Sequence, residues 1–303
     1  VVPQKIVVLG TGGTLAGTAA TPGDNIGYTA AQVGIAQLLA GIASLKGLPI
    51  ESEQVAQVDS KDMTFAIWRN LASRCAHWLA QGDVAGIVVT HGTDTIEETS
   101  FFLQEVLAPQ KPIVLTCAMR PSTAISPDGP QNIVDAVTVA SSHGARGVTV
   151  VCAGVIHDAR AVAKVHHCRL DPFASGDAGP IGYVEDGKLR VVRDWPTGHA
   201  MKLPQSDSWP RVEIVFSFAG ASGDTVKSLT EQGAKGIVVA ATGNGSVHRE
   251  LMPALLDAQL RGVKVLRASR CAQGGIIAKP GDELPHTQLS PVKARIRLML
   301  ELA

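Results

Sequence analysis

The 303 residues carry 27 Lys+Arg against 27 Asp+Glu, so no global field of either sign favours nucleic acid or an anionic membrane surface as partner. Aromatic residues make up only 4% while glycines number 31, a balance that suits parallel α/β architecture better than a β-sandwich. No apolar run reaches bilayer-spanning length.

The start, VVPQKIVVLG, leads into a strand without a signal peptide, so a cytoplasmic location is expected, or a periplasmic one if a leader has been removed. The five cysteines, at 75, 117, 152, 168 and 271, are odd in number and lack C-x-x-C spacing, which favours a reducing compartment. Short β-branched runs predict strands over 5–10, 54–58, 86–90, 112–117 and 148–152. Helical periodicity falls between them, over 30–45, 64–81, 94–107 and 130–142. In the third of these helices Glu97 and Glu98 suit the positive end of the helix dipole. The Pro- and Ser-rich stretch 194–210 reads as a linker. Beyond it, strands are expected at 212–216, 236–241 and 263–269, with helices at 224–232, 248–260 and 291–302. The predicted class is therefore two-domain α/β: an open, mostly parallel sheet in a large N-terminal domain (1–193), a linker (194–211) and a smaller α/β C-terminal domain (212–303).

The loop GTGGTLAG (10–17) follows the first strand but fits neither familiar phosphate loop. Leu15 stands where the dinucleotide fingerprint needs its third glycine, and Thr18 where a P-loop needs lysine. In open parallel sheets ligands bind beyond the carboxyl ends of the strands. The segments there are TGGTLAG, DSKDM, HGTDT and AMRPS. Their convergence would make a pocket lined by hydroxyls and charges. A threonine hydroxyl needs a base or proton relay to become a nucleophile, and a desolvated lysine can serve. Glycines before Thr14 allow close approach, and N–H groups of a helix start after it can meet an oxyanion.

Each residue also has a plainer use. Asp94 suits a helix N-cap, Thr14 a turn, Lys164 a solvated surface and Tyr28 a cover over apolar side chains. His91 is read as packing or orienting its loop, and Asp128 with Gly129 as a turn and subunit contact. The His166–Cys168 run is too contiguous for its three side chains to face one metal ion.

The pair VVLGTGGTLAG and GIVVTHGTDTIEET, with YTAAQVG, DSKDM, AMRPSTAISPDGPQN, DARAVAK, GNGS and LSPVKARIRLMLELA in the same order, resembles the bacterial-type L-asparaginase family, which includes the glutaminase-asparaginases. The resemblance implies hydrolysis of a side-chain amide, asparagine to aspartate plus ammonia, with no cofactor and no metal. It makes Thr14 the nucleophile and places Tyr28 on a lid. Thr93, Asp94 and Lys164 become the proton-handling cluster, with Asp94 also holding the substrate ammonium. Ser60 would bind the α-carboxylate and the Ala118 carbonyl the leaving amide. It further implies a homotetramer with shared sites, in which Glu283 and the GNGS loop come from a neighbouring copy. Lys61 departs from the Gln or Glu common at this substrate-binding position and brings a cation toward the substrate ammonium. The loop KPGDELPHTQ is shorter than in several relatives. Ser246 replaces the asparagine of some members and leaves room for glutamine. A non-catalytic amino-acid-binding or regulatory protein of the same fold is the alternative from another class.

Overall fold

A computed structural model describes residues 4–19, 27–206 and 208–303, which form two units, Val1–Ala200 and Met201–Ala303. In the first, β1 (Lys5–Gly12), β2 (Ile50–Val58), β3 (Val84–Thr90), β4 (Pro112–Thr116) and β5 (Gly147–Cys152) run parallel. Three antiparallel strands, β6 (Val155–Asp158), β7 (Gly182–Glu185) and β8 (Lys188–Val191), extend one side. The sheet order is β8-β7-β6-β5-β4-β3-β1-β2.

The antiparallel extension was not anticipated from the sequence. Its hairpins turn on Ala153-Gly154 and Asp186-Gly187, all four with positive φ. That is the backbone of a two-residue turn matched to strand twist. The parallel strands β1, β3, β4 and β5 are buried on both faces, which is why they read as continuous apolar runs, whereas the edge strand β2 is polar and partly exposed.

On one face, α1 (Ile35–Ala40) and α4 (Gly129–Ala140) cover Ile6, Val8, Val88 and Val114 with Ile35, Ile133, Ala136 and Val139. The alternate residues Val7, Leu9, Ile87 and Val89 are also fully buried and point to the opposite face. There lie α2 (Phe65–Leu79) and α3 (Ile96–Leu107), locked by Trp68 stacking on Phe102 at 4.9 Å. Burying each such aliphatic side chain contributes about 1.5–3 kcal/mol.

The helix expected over 30–45 shrinks to α1 and a 3-10 turn, Ala43–Leu45. Gly34 is extended at its start and Gly41 ends it, and glycine is a poor helix former. The Ile35 N–H begins the helix by donating to Gln54 Oε1, while Tyr28–Thr29 pairs with Thr18–Ala19 in a small ladder.

The second unit is a parallel sheet of β9 (Val212–Phe216), β10 (Gly236–Ala241) and β11 (Lys264–Ser269). Its helices are α5 (Asp224–Glu231), α6 (Met252–Leu260) and α7 (Pro291–Glu301). Helix α6 starts four residues later than expected, because the His248 N–H donates to Ser217 Oγ and Pro253 occupies the first turn.

Candidate active site

The glycines of GTGGTLAG serve chain-to-chain contact. A methyl group on Gly13, whose φ is 82°, would fall 2.5 Å from the Gly92 nitrogen. One on Gly92 would fall 2.5 Å from Ser60 Oγ. The turns after β1 and β3 thus touch backbone to backbone, and Gly92 leaves room for the Ser60 side chain of the turn after β2, distances only glycine permits. Hydroxyls and amides fasten them: Gly13 N–H donates to Val58 O (3.0 Å), Thr11 Oγ1 to Thr90 O (2.8 Å) and Thr95 Oγ1 to Ser60 O (2.7 Å).

Thr14 is buried and opens a single 3-10 turn, Thr14–Ala16. The helix start expected after it, with its dipole, is therefore not formed. Helix α3 begins at Ile96 with Thr95 in the cap position, so Asp94 stands one residue too early to cap it. Its half-exposed carboxylate accepts a hydrogen bond from Lys164 Nζ at 2.5 Å. The same ammonium donates to Thr93 Oγ1 at 2.8 Å.

Lys164 itself lies on a two-residue strand, Ala163–Lys164, paired with Phe173–Ala174. Its N–H donates to Glu97 Oε2 at 3.1 Å. One short carboxylate contact from the first turn of α3 thereby registers the lysine against Thr93 and Asp94.

A cavity of about 530 Å³ is lined by Thr14, Ser60, Thr93, Asp94 and Lys164 together. Asp59, Gly92, Met119, Arg120, His167 and Cys168 complete its wall. Arg120, His167 and Cys168 were not singled out as site residues from the sequence; AMRPS drew attention to Ala118, and the histidine–cysteine run was weighed only as a metal motif. His166 and His167 stack at 5.0 Å, and His166 Nδ1 accepts the N–H groups of Cys168 and Arg169. Among the described residues no group of three His, Cys, Asp or Glu is arranged to hold a metal.

Other predicted residues fall elsewhere. Lys61 is exposed and is not one of the lining residues; its ammonium donates to Asp59 Oδ2 at 2.6 Å and lies 3.5 Å from Asp62. Ala118 is fully buried behind Met119 and likewise does not line the cavity. The backbone of Tyr28 pairs with Ala19, but its side chain lies outside the described residues. Ser246 and Glu283 belong to the second unit and are exposed. There the buried Arg267 donates to Gly245 O and Leu284 O and so fastens both of their loops.

His91 supports the site from behind. His91 Nδ1 lies 2.7 Å from Gly92 O, which can only accept, so the proton of the neutral ring sits on Nδ1. Nε2 then accepts from the Thr99 hydroxyl (2.9 Å), whose oxygen accepts the Trp68 Nε1–H (2.9 Å). Burial pushes the pKa of His91 down from 6.5 to about 4, so the ring stays neutral and orients the turn that carries Thr93.

Residues 5–197 match the asparaginase N-terminal family model, and residues 211–303 the glutaminase/asparaginase C-terminal domain. The chain belongs to the asparaginase family. Within that family it is 39% identical to a glutaminase-asparaginase of Pseudomonas fluorescens biotype A, over 98% of this chain and 86% of the relative. It is 36% identical to L-asparaginase 2 of Escherichia coli strain K12, over 98% of this chain and 88% of the relative. A crystal structure of a probable cytoplasmic L-asparaginase from Campylobacter jejuni superposes with a TM-score of 0.94 at 38% identity, covering 99% of this chain and 95% of that one. The asparaginase fold thus accounts for both units. Among its described residues no helix is long and apolar enough to cross a membrane.

Proposed function

We propose that this asparaginase-family chain hydrolyses the side-chain amide of L-asparagine to L-aspartate and ammonia, with Thr14 as nucleophile. The observation that carries the reading is the placement of Lys164 Nζ within hydrogen-bond distance of both Thr93 and Asp94, in the cavity that Thr14 also lines. Thr14 Oγ attacks the amide carbon, and the proton it loses passes into the Thr93–Lys164–Asp94 cluster, where the carboxylate can take it up. The cluster returns that proton to the departing nitrogen, so ammonia leaves a β-aspartyl ester on Thr14. Water, giving a proton to the same cluster, then cleaves the ester, and the proton goes back to the Thr14 oxygen.

Asp94 offers its exposed carboxylate oxygen to the substrate ammonium, and Ser60 its hydroxyl to the α-carboxylate. The Ala118 carbonyl, in the peptide unit shared with the wall residue Met119, is the acceptor for the leaving amide. Tyr28 belongs to the lid, and Glu283 and Ser246 reach a site from a neighbouring copy in a tetramer. The ion pairs of Lys61 with Asp59 and Asp62 support a reading in which its charge is drawn away from the substrate ammonium, against a binding-only role. Glutamine is the second candidate substrate, supported by the 39% identity to a glutaminase-asparaginase.

Ammonia release from asparagine and from glutamine, measured side by side, tests the reading. Thr14→Ala should lose several orders of magnitude in kcat. Near-normal ammonia release by that variant would remove Thr14 from the nucleophile's role, and binding of asparagine without ammonia from the wild type would make the chain a sensor.

A further inference from the structure

The turn that follows β4 is held by a carboxylate that takes no part in the chemistry above. Asp128 precedes α4 but makes no side-chain cap to its own helix. Instead Oδ2 accepts the Met119 N–H and Oδ1 the Arg120 N–H, both at 2.9 Å. Asn132, one turn further along α4, donates to the same Oδ2 at 3.3 Å and to Cys117 O at 2.9 Å. Its Oδ1 accepts the Ala153 N–H after β5. A turn was expected of Asp128; its carboxylate is also the centre of this clamp.

We propose that Asp128 is a positioning residue for amide recognition, and this rests on the assignment of the Ala118 carbonyl made above. Ala118 C=O and Met119 N–H belong to one peptide unit, and the described chain has no cis peptide bonds. In a trans unit the two groups point in opposite directions, so fixing the N–H on Asp128 fixes the aim of the carbonyl. A charge-assisted bond to the N–H also draws electron density onto that carbonyl oxygen and makes it a stronger acceptor. Met119 and Arg120, the residues that Asp128 grips, are themselves cavity wall.

The test compares Asp128→Asn and Asp128→Glu with wild type on two ligands. Asparagine carries the amide that the carbonyl would accept, whereas aspartate, the product, carries none. Asp128→Asn keeps one acceptor but sets an amide donor against the second N–H. Its kcat/KM on asparagine should fall roughly tenfold or more, while the calorimetric Kd for aspartate stays within about twofold of wild type. Asp128→Glu, which keeps the charge, should recover part of the loss. Unchanged kcat/KM in Asp128→Asn, or equal losses in asparagine turnover and aspartate binding, would overturn the proposal. Should Asp128→Asn fail to fold, the same asparagine-to-aspartate ratio is read from Asp128→Glu, and a ratio equal to wild type refutes it. Failure of the parent reading looks different: the wild type itself would release no ammonia.

Discussion

Acidification tests the buried histidine behind the site directly. The native His91 ring takes up its proton near pH 4, pushed down from 6.5 by burial, whereas an unfolded chain takes it up near 6.5. Between these values the unfolded state binds more protons than the native one. Stability from this residue is therefore complete above about pH 6.5 and declines as the pH falls toward 4. A gap of about 2.5 pH units at about 1.4 kcal/mol each amounts to about 3.5 kcal/mol. His157, buried against Ser175 and also near 4, adds a second loss of similar size, so the pair removes about 7 kcal/mol. His91→Gln keeps one donor for Gly92 O and one acceptor for the Thr99 hydroxyl but cannot titrate. Its stability at pH 7 should stay within about 1.5 kcal/mol of wild type. Its loss between pH 6.5 and 4 should be smaller than that of wild type by roughly 3 kcal/mol. Urea unfolding followed by tryptophan fluorescence at stepped pH reads this difference, and Trp68, bonded to Thr99, reports on the right place. Carboxylates that titrate in the same range are common to both proteins and cancel in the comparison. Parallel stability curves for the two proteins, or an NMR titration of His91 near 6.5, would refute the reasoning.

Two further predictions concern the turns around the cavity. Gly92→Ala places a methyl 2.5 Å from Ser60 Oγ and 2.7 Å from Ser60 Cβ; steady-state kinetics should show turnover reduced by more than about a hundredfold, because a shift of roughly 1 Å suffices for that. Lys61→Gln should leave the thermal midpoint nearly unchanged, since exposed ion pairs contribute little. It also uncovers the Asp59 carboxylate beside Ser60 on the cavity wall, where it repels the substrate α-carboxylate, so KM for asparagine should rise a few-fold. A fall in KM would mean that the Lys61 charge reaches into the cavity and opposes the substrate ammonium.

The pairing of TGGT with HGTDT was legible because loops after parallel strands must arrive at one sheet edge, whatever their separation in the chain. Thr14, Ser60, Thr93, Asp94 and Lys164 accordingly line one cavity. The antiparallel side of the sheet was missed although Asp186-Gly187 is an ordinary hairpin signal; it sits in a polar stretch whose short strands lack apolar runs. The direction of Lys61 was not legible, since Asp59 and Asp62 both compete for its ammonium and only the fold of the Ser60–Asp62 turn decides between them and the cavity. Arg120 was hidden for a related reason: it comes from a turn held by Asp128, eight residues further on. Strand order can deliver residues to an edge, but the fit among those residues depends on how closely their backbones approach. At Gly13 and Gly92 that approach leaves no room for a Cβ. The letters that most resembled a phosphate loop are glycines because three chain segments must touch there, and that contact brings the threonine hydroxyls into a common cavity.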